Sequence, residues 1–243
     1  MADQPGGRDA VDAGSDAGSD SGGAGVPEAT DRGAAPAARH PARRRLLIWR
    51  HGQTHHNASG IWQGQLDTEL SDLGRAQARA AAAALASYEP AIIVSSDLSR
   101  AADTARELAS LVGLEVRTDE RLREIHAGEW QGMTAGDVAE QFPEEQAALA
   151  AGEDLPRGVH GETLSQLGVR VRAAVDDLLL ELAPGQNAVV ATHGVAGRAV
   201  VASLVGLSQH EAWTSIAGLH NCHWAELRED KKGWRIVAWN AGA

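Results

Sequence analysis

Leu46-Leu47-Ile48-Trp49-Arg50-His51-Gly52 and Ala188-Val189-Val190-Ala191-Thr192-His193-Gly194 are the stretches that decide the fold. In each, four apolar residues break off into one polar residue, a histidine and a glycine. An unbroken apolar run of this length, with no polar alternation, reads as a parallel strand buried on both faces. Open α/β sheets gather ligands at the carboxyl ends of such strands, so both histidines are expected on one functional edge. The glycine after each is expected to let the backbone turn sharply and approach a ligand with no Cβ in the way.

The segments around these motifs alternate between helix and strand. A polar loop runs from Gly52 to about Leu70, and Ser71 caps a helix that continues through the alanine-rich stretch to about Ala86. Ala91-Ile92-Ile93-Val94 reads as a second buried strand, ending in the polar residues Ser95 to Arg100. From about Ser99 to Val112 a helix is expected, with Ala101, Ala105, Leu108 and Leu111 on one face and Gly113 as its close. Leu114 to Thr118 is a shorter strand, a loop carries Arg121 to Glu124, and Thr134 to Phe142 reads as a helix stopped by Pro143. Thr163 and Gln166 form a capping box for a helix reaching about Ala183. An apolar helix from about Val195 to Val205 follows the second motif, and strands at about His223 to Leu227 and Trp234 to Trp239 close the chain. This order predicts a doubly wound α/β fold.

Residues 45–243 are long enough for one sizeable core, and we expect one folded domain there. Residues 1–44 are rich in Gly, Ala, Asp, Ser and Pro, with Val11 and Val26 their only large aliphatic side chains. Such a segment buries too little apolar area to offset its ordering entropy, and a disordered, solvated tail is expected. The apolar run after Arg43-Arg44-Arg45 is four residues long, too short for a secretory signal. No stretch has the length of a membrane span. Of the formal net charge of −11, the tail's seven acidic and five basic residues supply −2, leaving −9 on residues 45–243. An acidic domain is a poor partner for nucleic acid or for an anionic membrane, so any anion must be held by a few placed arginines. The lone cysteine, Cys222, rules out an internal disulfide and suits a reducing cytoplasm. Oligomeric state is open, a homodimer included.

The residues at the strand ends suit transfer of a phosphoryl group from a monoester. That reaction needs a nucleophile in line with the leaving oxygen, cations around the equatorial oxygens, and an acid for the departing alkoxide. His51 is the candidate nucleophile, because a neutral imidazole with one nitrogen oriented by a hydrogen bond is a good nucleophile near pH 7. Arg50 and Arg100 can grip phosphate oxygens with forked hydrogen bonds, and His193 can donate another. Asn57 and Gln63 are neutral donors for the same anion. Glu124, between Leu122 and Ile125 and expected to be partly buried with a raised pKa, is the candidate acid. On spacing alone, an ion pair with Arg121 or Arg123 is the plainer reading of Glu124.

A metal site is not expected. His51, His55, His56, His126 and His193 show none of the spaced zinc signatures, and His55 and His56 are read as facing opposite sides of an extended loop. Trp49, Trp224, Trp234 and Trp239 fall in strands and read as packing residues, whereas Trp62 and Trp130 lie in loops and could equally wall a leaving-group pocket.

Taken together, Leu46 to Asn57, Ser95 to Arg100, Leu122 to Gly132, Gly161-Glu162-Thr163 and Ala191 to Gly194 resemble, in order, the motifs of the histidine phosphatase superfamily, also called the phosphoglycerate mutase-like family. The resemblance covers essentially Arg45 to Asn240. It implies a three-layer α/β/α sandwich around a mostly parallel sheet, with residues 45–243 as the catalytic domain. It also implies a phosphohistidine at His51, a phosphate pocket of Arg50, Arg100 and His193 with Gly194 beside it, Glu124 as proton donor and later base, and no cofactor or metal. Gln63 to Arg75 and Ile93 to Leu98 look especially like the group in that family acting on glucosyl-3-phosphoglycerate in actinobacteria. His160-Gly161-Glu162-Thr163 departs from that group, which has two glycines and a serine after the glutamate, and the substrate stays open.

Thr134 to His160 carries one basic residue, Arg157, among Asp137, Glu140, Glu144, Glu145, Glu153 and Asp154. A second phosphate would be repelled, so hydrolysis of a small phosphate monoester is expected rather than mutase activity. A protein that binds phosphate ligands without turnover is the alternative outside the enzyme class.

Overall fold

The computed structural model describes residues 43–243. Among them, β1 (Arg45–Arg50), β2 (Pro90–Ser95), β3 (Val116–Thr118), β4 (Asn187–Thr192), β5 (Trp224–Asp230) and β6 (Gly233–Ala241) form one sheet in the order β3-β2-β4-β1-β5-β6. The first four run parallel; β5 pairs antiparallel with β1, and β6 antiparallel with β5. The α/β architecture and mostly parallel sheet are as expected from the chain. The expected tail lies outside the described residues except for Arg43 and Arg44. Arg44 is tied to the domain, donating to Glu229 from Nε (2.8 Å) and Nη2 (2.6 Å) and to the Leu179 carbonyl from Nη1 (2.8 Å).

Leu46, Leu47, Ile48 and Trp49 are all fully buried because both faces of β1 are covered. Leu46 and Ile48 join Ala188 and Val190 of β4 under α6 (Leu164–Glu181) and α7 (Gly194–Val205). Leu47 and Trp49 join Val189 and Ala191 under α2 (Asp72–Ala86) and α3 (Ser99–Val112). Burial of each leucine, isoleucine or valine among them contributes about 1.5–3 kcal/mol, which is why these two strands anchor the domain.

The local signals for most elements hold. Ser71 caps α2 by accepting from Gly74 N, Gly113 closes α3 at φ 71°, and Thr163 with Gln166 makes the capping box of α6. Leu111 is 58% exposed, so the buried stripe of α3 runs 101, 105, 108 and on to the partly buried Val112, one residue beyond the expected position. Three short helices escaped the sequence reading: α1 (His55–Ala58), α5 (Pro143–Ala150) and α8 (Gln209–Ser215). His55 and His56 begin α1, capped by Thr54, and so do not flank an extended loop. Pro143 does end the preceding helix α4 (Ala135–Gln141), but it also starts α5 at the position where its missing N–H costs nothing.

Gly52 owes its identity to packing rather than to a sharp turn or a ligand. A Cβ there would lie 2.4 Å from the Gly74 carbonyl oxygen, and one on Gly74 would lie 2.0 Å from the Gln53 oxygen. The start of α2 thus seats directly on the loop leaving β1. Gly74→Ala should cost about 1–3 kcal/mol or more through this backbone overlap, read from the urea midpoint at constant slope; an unchanged midpoint would show that the two segments can separate freely.

Candidate active site

The β1–β4 register sets Arg50 opposite Thr192, so the next residues, His51 and His193, leave the sheet side by side. His51 N donates to the Thr192 carbonyl at 3.0 Å, and the two imidazole centroids lie 5.1 Å apart at 61°. His51 is 2% exposed and His193 fully buried. The Gly52 carbonyl accepts from His51 Nδ1 at 2.6 Å, which places the proton on Nδ1 and leaves a lone pair on Nε2. Burial first, then Arg100 and Arg50, pushes His51 well below the usual histidine pKa. Burial, then Arg100, His51 and Arg50, does the same to His193. Ser96 Oγ lies 2.9 Å from His193 Nε2, and His193 Nδ1 has no hydrogen-bond partner.

Arg50 ends β1, and its Nη1 donates to the Leu219 carbonyl at 2.6 Å. Arg100 stands in the first turn of α3, 1% exposed, donating to the carbonyls of Leu66 (2.7 Å) and Gly64 (2.8 Å). The Gly64 carbonyl is turned toward it by a left-handed φ of 51°, which favours glycine. Asp67 accepts from Ser99 N and Oγ, both at 2.8 Å, and so caps α3, whose own N-cap Leu98 has no capping side chain. Neither arginine forms an ion pair among the described residues, and the buried Nε of each has no partner. Burial lowers both, Arg100 to about 10. Two desolvated guanidinium groups with unused donors are costly unless an anion meets them.

Glu124 is half-buried, as expected, but what surrounds its carboxyl is backbone. Its carboxyl accepts from Ile125 N (3.0 Å), Val195 N (3.1 Å) and Ala196 N (2.9 Å), the latter two from the first turn of α7. The start of α7 thus fixes the position of the carboxyl through backbone N–H groups that have no partner within the helix. Nor is it paired with its basic neighbours: Arg121 binds Asp119 and Asp177, and Arg123 binds Asp97.

Arg50, His51, Asn57, Gln63, Arg100 and Glu124 line one cleft of about 190 Å³. Asn57 Oδ1 accepts from Thr54 N (3.1 Å) and Asn221 Nδ2 (3.2 Å), and Gln63 Oε1 from the Thr54 hydroxyl (2.9 Å). With their oxygens occupied, both amides have only NH2 left to offer a ligand. His193 and Gly194 stand behind this lining rather than in it. A Cβ on Gly194 would sit 3.5 Å from the Arg50 guanidinium, an ordinary contact, so that glycine is not demanded by space. Trp62 walls the cleft, but Trp130 is core, 1% exposed and edge-on to Trp62 at 5.2 Å.

Several contributors had no usable signal in the chain. Asn221 donates to the His51 carbonyl at 3.0 Å, and Thr104 accepts from Gly52 N at 3.1 Å. Ser96 was legible only as part of a polar strand end. The backbone donors of Val195 and Ala196 could have been found by asking what anion caps an apolar helix that starts directly after a strand.

The chain is 40% identical over 216 residues to glucosyl-3-phosphoglycerate phosphatase of Mycobacterium tuberculosis, covering 82% of this chain and 96% of that protein. It is 32% identical over 194 residues to a probable phosphoglycerate mutase of Yersinia enterocolitica, covering 80% of this chain and 89% of that one. Its structure matches that of mycobacterial glucosyl-3-phosphoglycerate phosphatase in complex with VO3 at a TM-score of 0.76 and 40% identity, covering 82% of this chain and all of the other. The complex of the mycobacterial enzyme with inorganic phosphate matches at a TM-score of 0.73 and 39% identity, over 82% and 98% of the two chains. The model of the histidine phosphatase superfamily, branch 1, matches residues 46–242, and the chain belongs to that family.

Proposed function

We propose that this histidine phosphatase hydrolyses a phosphorylated sugar or glycerate, with glucosyl-3-phosphoglycerate as the leading candidate, through a phosphohistidine on His51. The observation that carries the reading is a half-buried Arg50 and a buried Arg100, neither with an ion-pair partner among the described residues and each with a buried, unpartnered Nε, beside a buried neutral histidine. His51 Nε2 attacks phosphorus while the ester P–O bond breaks. Glu124, protonated, gives its proton to the leaving alkoxide; as carboxylate it then takes a proton from the water that cleaves the P–N bond, returning phosphate and free imidazole. Arg50, Arg100 and the amides of Asn57 and Gln63 hold the equatorial oxygens, while His193, edge-on to His51 at 5.1 Å, supports the nucleophile. The 40% identity to enzymes named for glucosyl-3-phosphoglycerate supports the substrate class. The acidic α4–α5 region, with Asp137, Glu140, Glu144 and Glu145, supports water rather than a second phosphate as acceptor.

His51→Ala should lower turnover of p-nitrophenyl phosphate by roughly 10⁴-fold or more and abolish acid-labile 32P on the protein, while the wild type works unchanged in EDTA. A wild type that never turns over would sink the reading. Glu124→Gln should slow an alkyl phosphate by about 10²–10⁴-fold but p-nitrophenyl phosphate by less than about tenfold, since that leaving group departs without a proton. Equal slowing of both would remove Glu124 from the acid role.

The neutral histidines also set a pH dependence. A histidine depressed in the folded state binds fewer protons than in the unfolded chain, so its contribution is fully present above about pH 6.5 and is lost as pH falls below it. The slope is up to about 1.4 kcal/mol per pH unit for each ring. Urea midpoints taken from about pH 7.5 to 5 should fall more steeply for wild type than for His193→Gln; equal slopes would refute the depressed state of His193.

A further inference from the structure

A second cavity of about 250 Å³ adjoins the phosphate cleft, and Trp62 is a wall of both. Trp130 and Trp213 line it too, with the polar side chains of Gln146, Glu153, Arg157 and His210. Trp213, on α8, is 39% exposed, yet its ring is held by the Arg198 guanidinium 4.0 Å from its centroid. Arg198 is in turn fixed by Nη1, which donates to the Ile216 carbonyl at 3.0 Å. Among the described residues, the side chains of Gln146, Glu153 and His210 make no hydrogen bond or ion pair within the protein. The indole N–H of Trp130 is likewise buried without a partner.

Indole walls beside an unengaged amide, carboxylate and imidazole suit a hydroxylated ring, whose C–H faces lie on aromatic surface while its hydroxyls reach polar groups. A second anion suits the cavity poorly. Glu153 is part of the lining, and Arg157 is offset by Asp154 and Glu145 and donates to the Leu155 carbonyl at 2.7 Å. We propose that this cavity is a leaving-group subsite that binds the hydroxylated ring of a glycosylated phosphate ester while its phosphate lies against Arg50 and Arg100. The proposal rests on the phosphatase reading of the cleft it adjoins.

Kinetics of Trp213→Ala and Glu153→Gln on glucosyl-3-phosphoglycerate and on p-nitrophenyl phosphate test it. The KM for the glycosylated ester should rise about tenfold in Trp213→Ala and severalfold in Glu153→Gln, with kcat/KM for p-nitrophenyl phosphate unchanged in both. Equal losses on the two esters, or none on the glycosylated one, overturn the subsite. Binding is read independently by tryptophan fluorescence during titration with glucosylglycerate, the dephosphorylated product. Saturable quenching in wild type that weakens in Glu153→Gln supports the ring site; no saturable change overturns it, even in an enzyme active on p-nitrophenyl phosphate. Saturable quenching without any p-nitrophenyl phosphate turnover would overturn the phosphatase reading alone and leave the ring site standing.

Discussion

The parallel pairing of β1 with β4 is the constraint on which the candidate site depends. Because Arg50 stands opposite Thr192, the two histidines emerge together at one sheet edge, and their rings meet at 5.1 Å. A shift of one residue in that register would turn the faces of the slipped strand over and offset the two histidines along the sheet edge. The register is held by eight buried core residues, four from each strand, each with its own side of the sheet to fill. Stability and site geometry therefore share one cause. The same packing that makes these strands hydrophobic makes their ends dry.

Dryness gives the polar groups their character. Arg50 and Arg100 spend part of their guanidinium donors on carbonyls of Leu219, Gly64 and Leu66, which orients them without neutralising their charge. Their field, added to burial, keeps both imidazoles neutral. Glu124 is the nearby opposing charge, and the start of α7 holds it through two backbone N–H groups. An arrangement with excess buried positive charge and a separately tethered carboxyl favours a dianionic ligand over a neutral one.

The region beyond the cleft has a different composition. Its acidic helices and aromatic walls put carboxylates and indole surface beside the arginine-lined cleft. Trp62, ambiguous in the chain, walls both the cleft and the second cavity, whereas Trp130, packed edge-on against it and almost wholly buried, reaches only the second.

Sequence by itself determined the alternation of strands and helices, most caps, and six of the residues that line the cleft, Arg50, His51, Asn57, Gln63, Arg100 and Glu124. These follow from local rules: apolar runs, capping side chains, and functional groups at strand ends. Tertiary structure alone decided the surroundings of each group. Glu124 sits among leucine and isoleucine in the chain, yet its carboxyl meets backbone N–H groups some seventy residues away. Gly52 is a packing glycine because α2 seats on it, and Asn221 orients the site from a loop with no motif of its own. Hydrogen-bond partners and close backbone approaches arise from elements distant in sequence, and no local pattern encodes them.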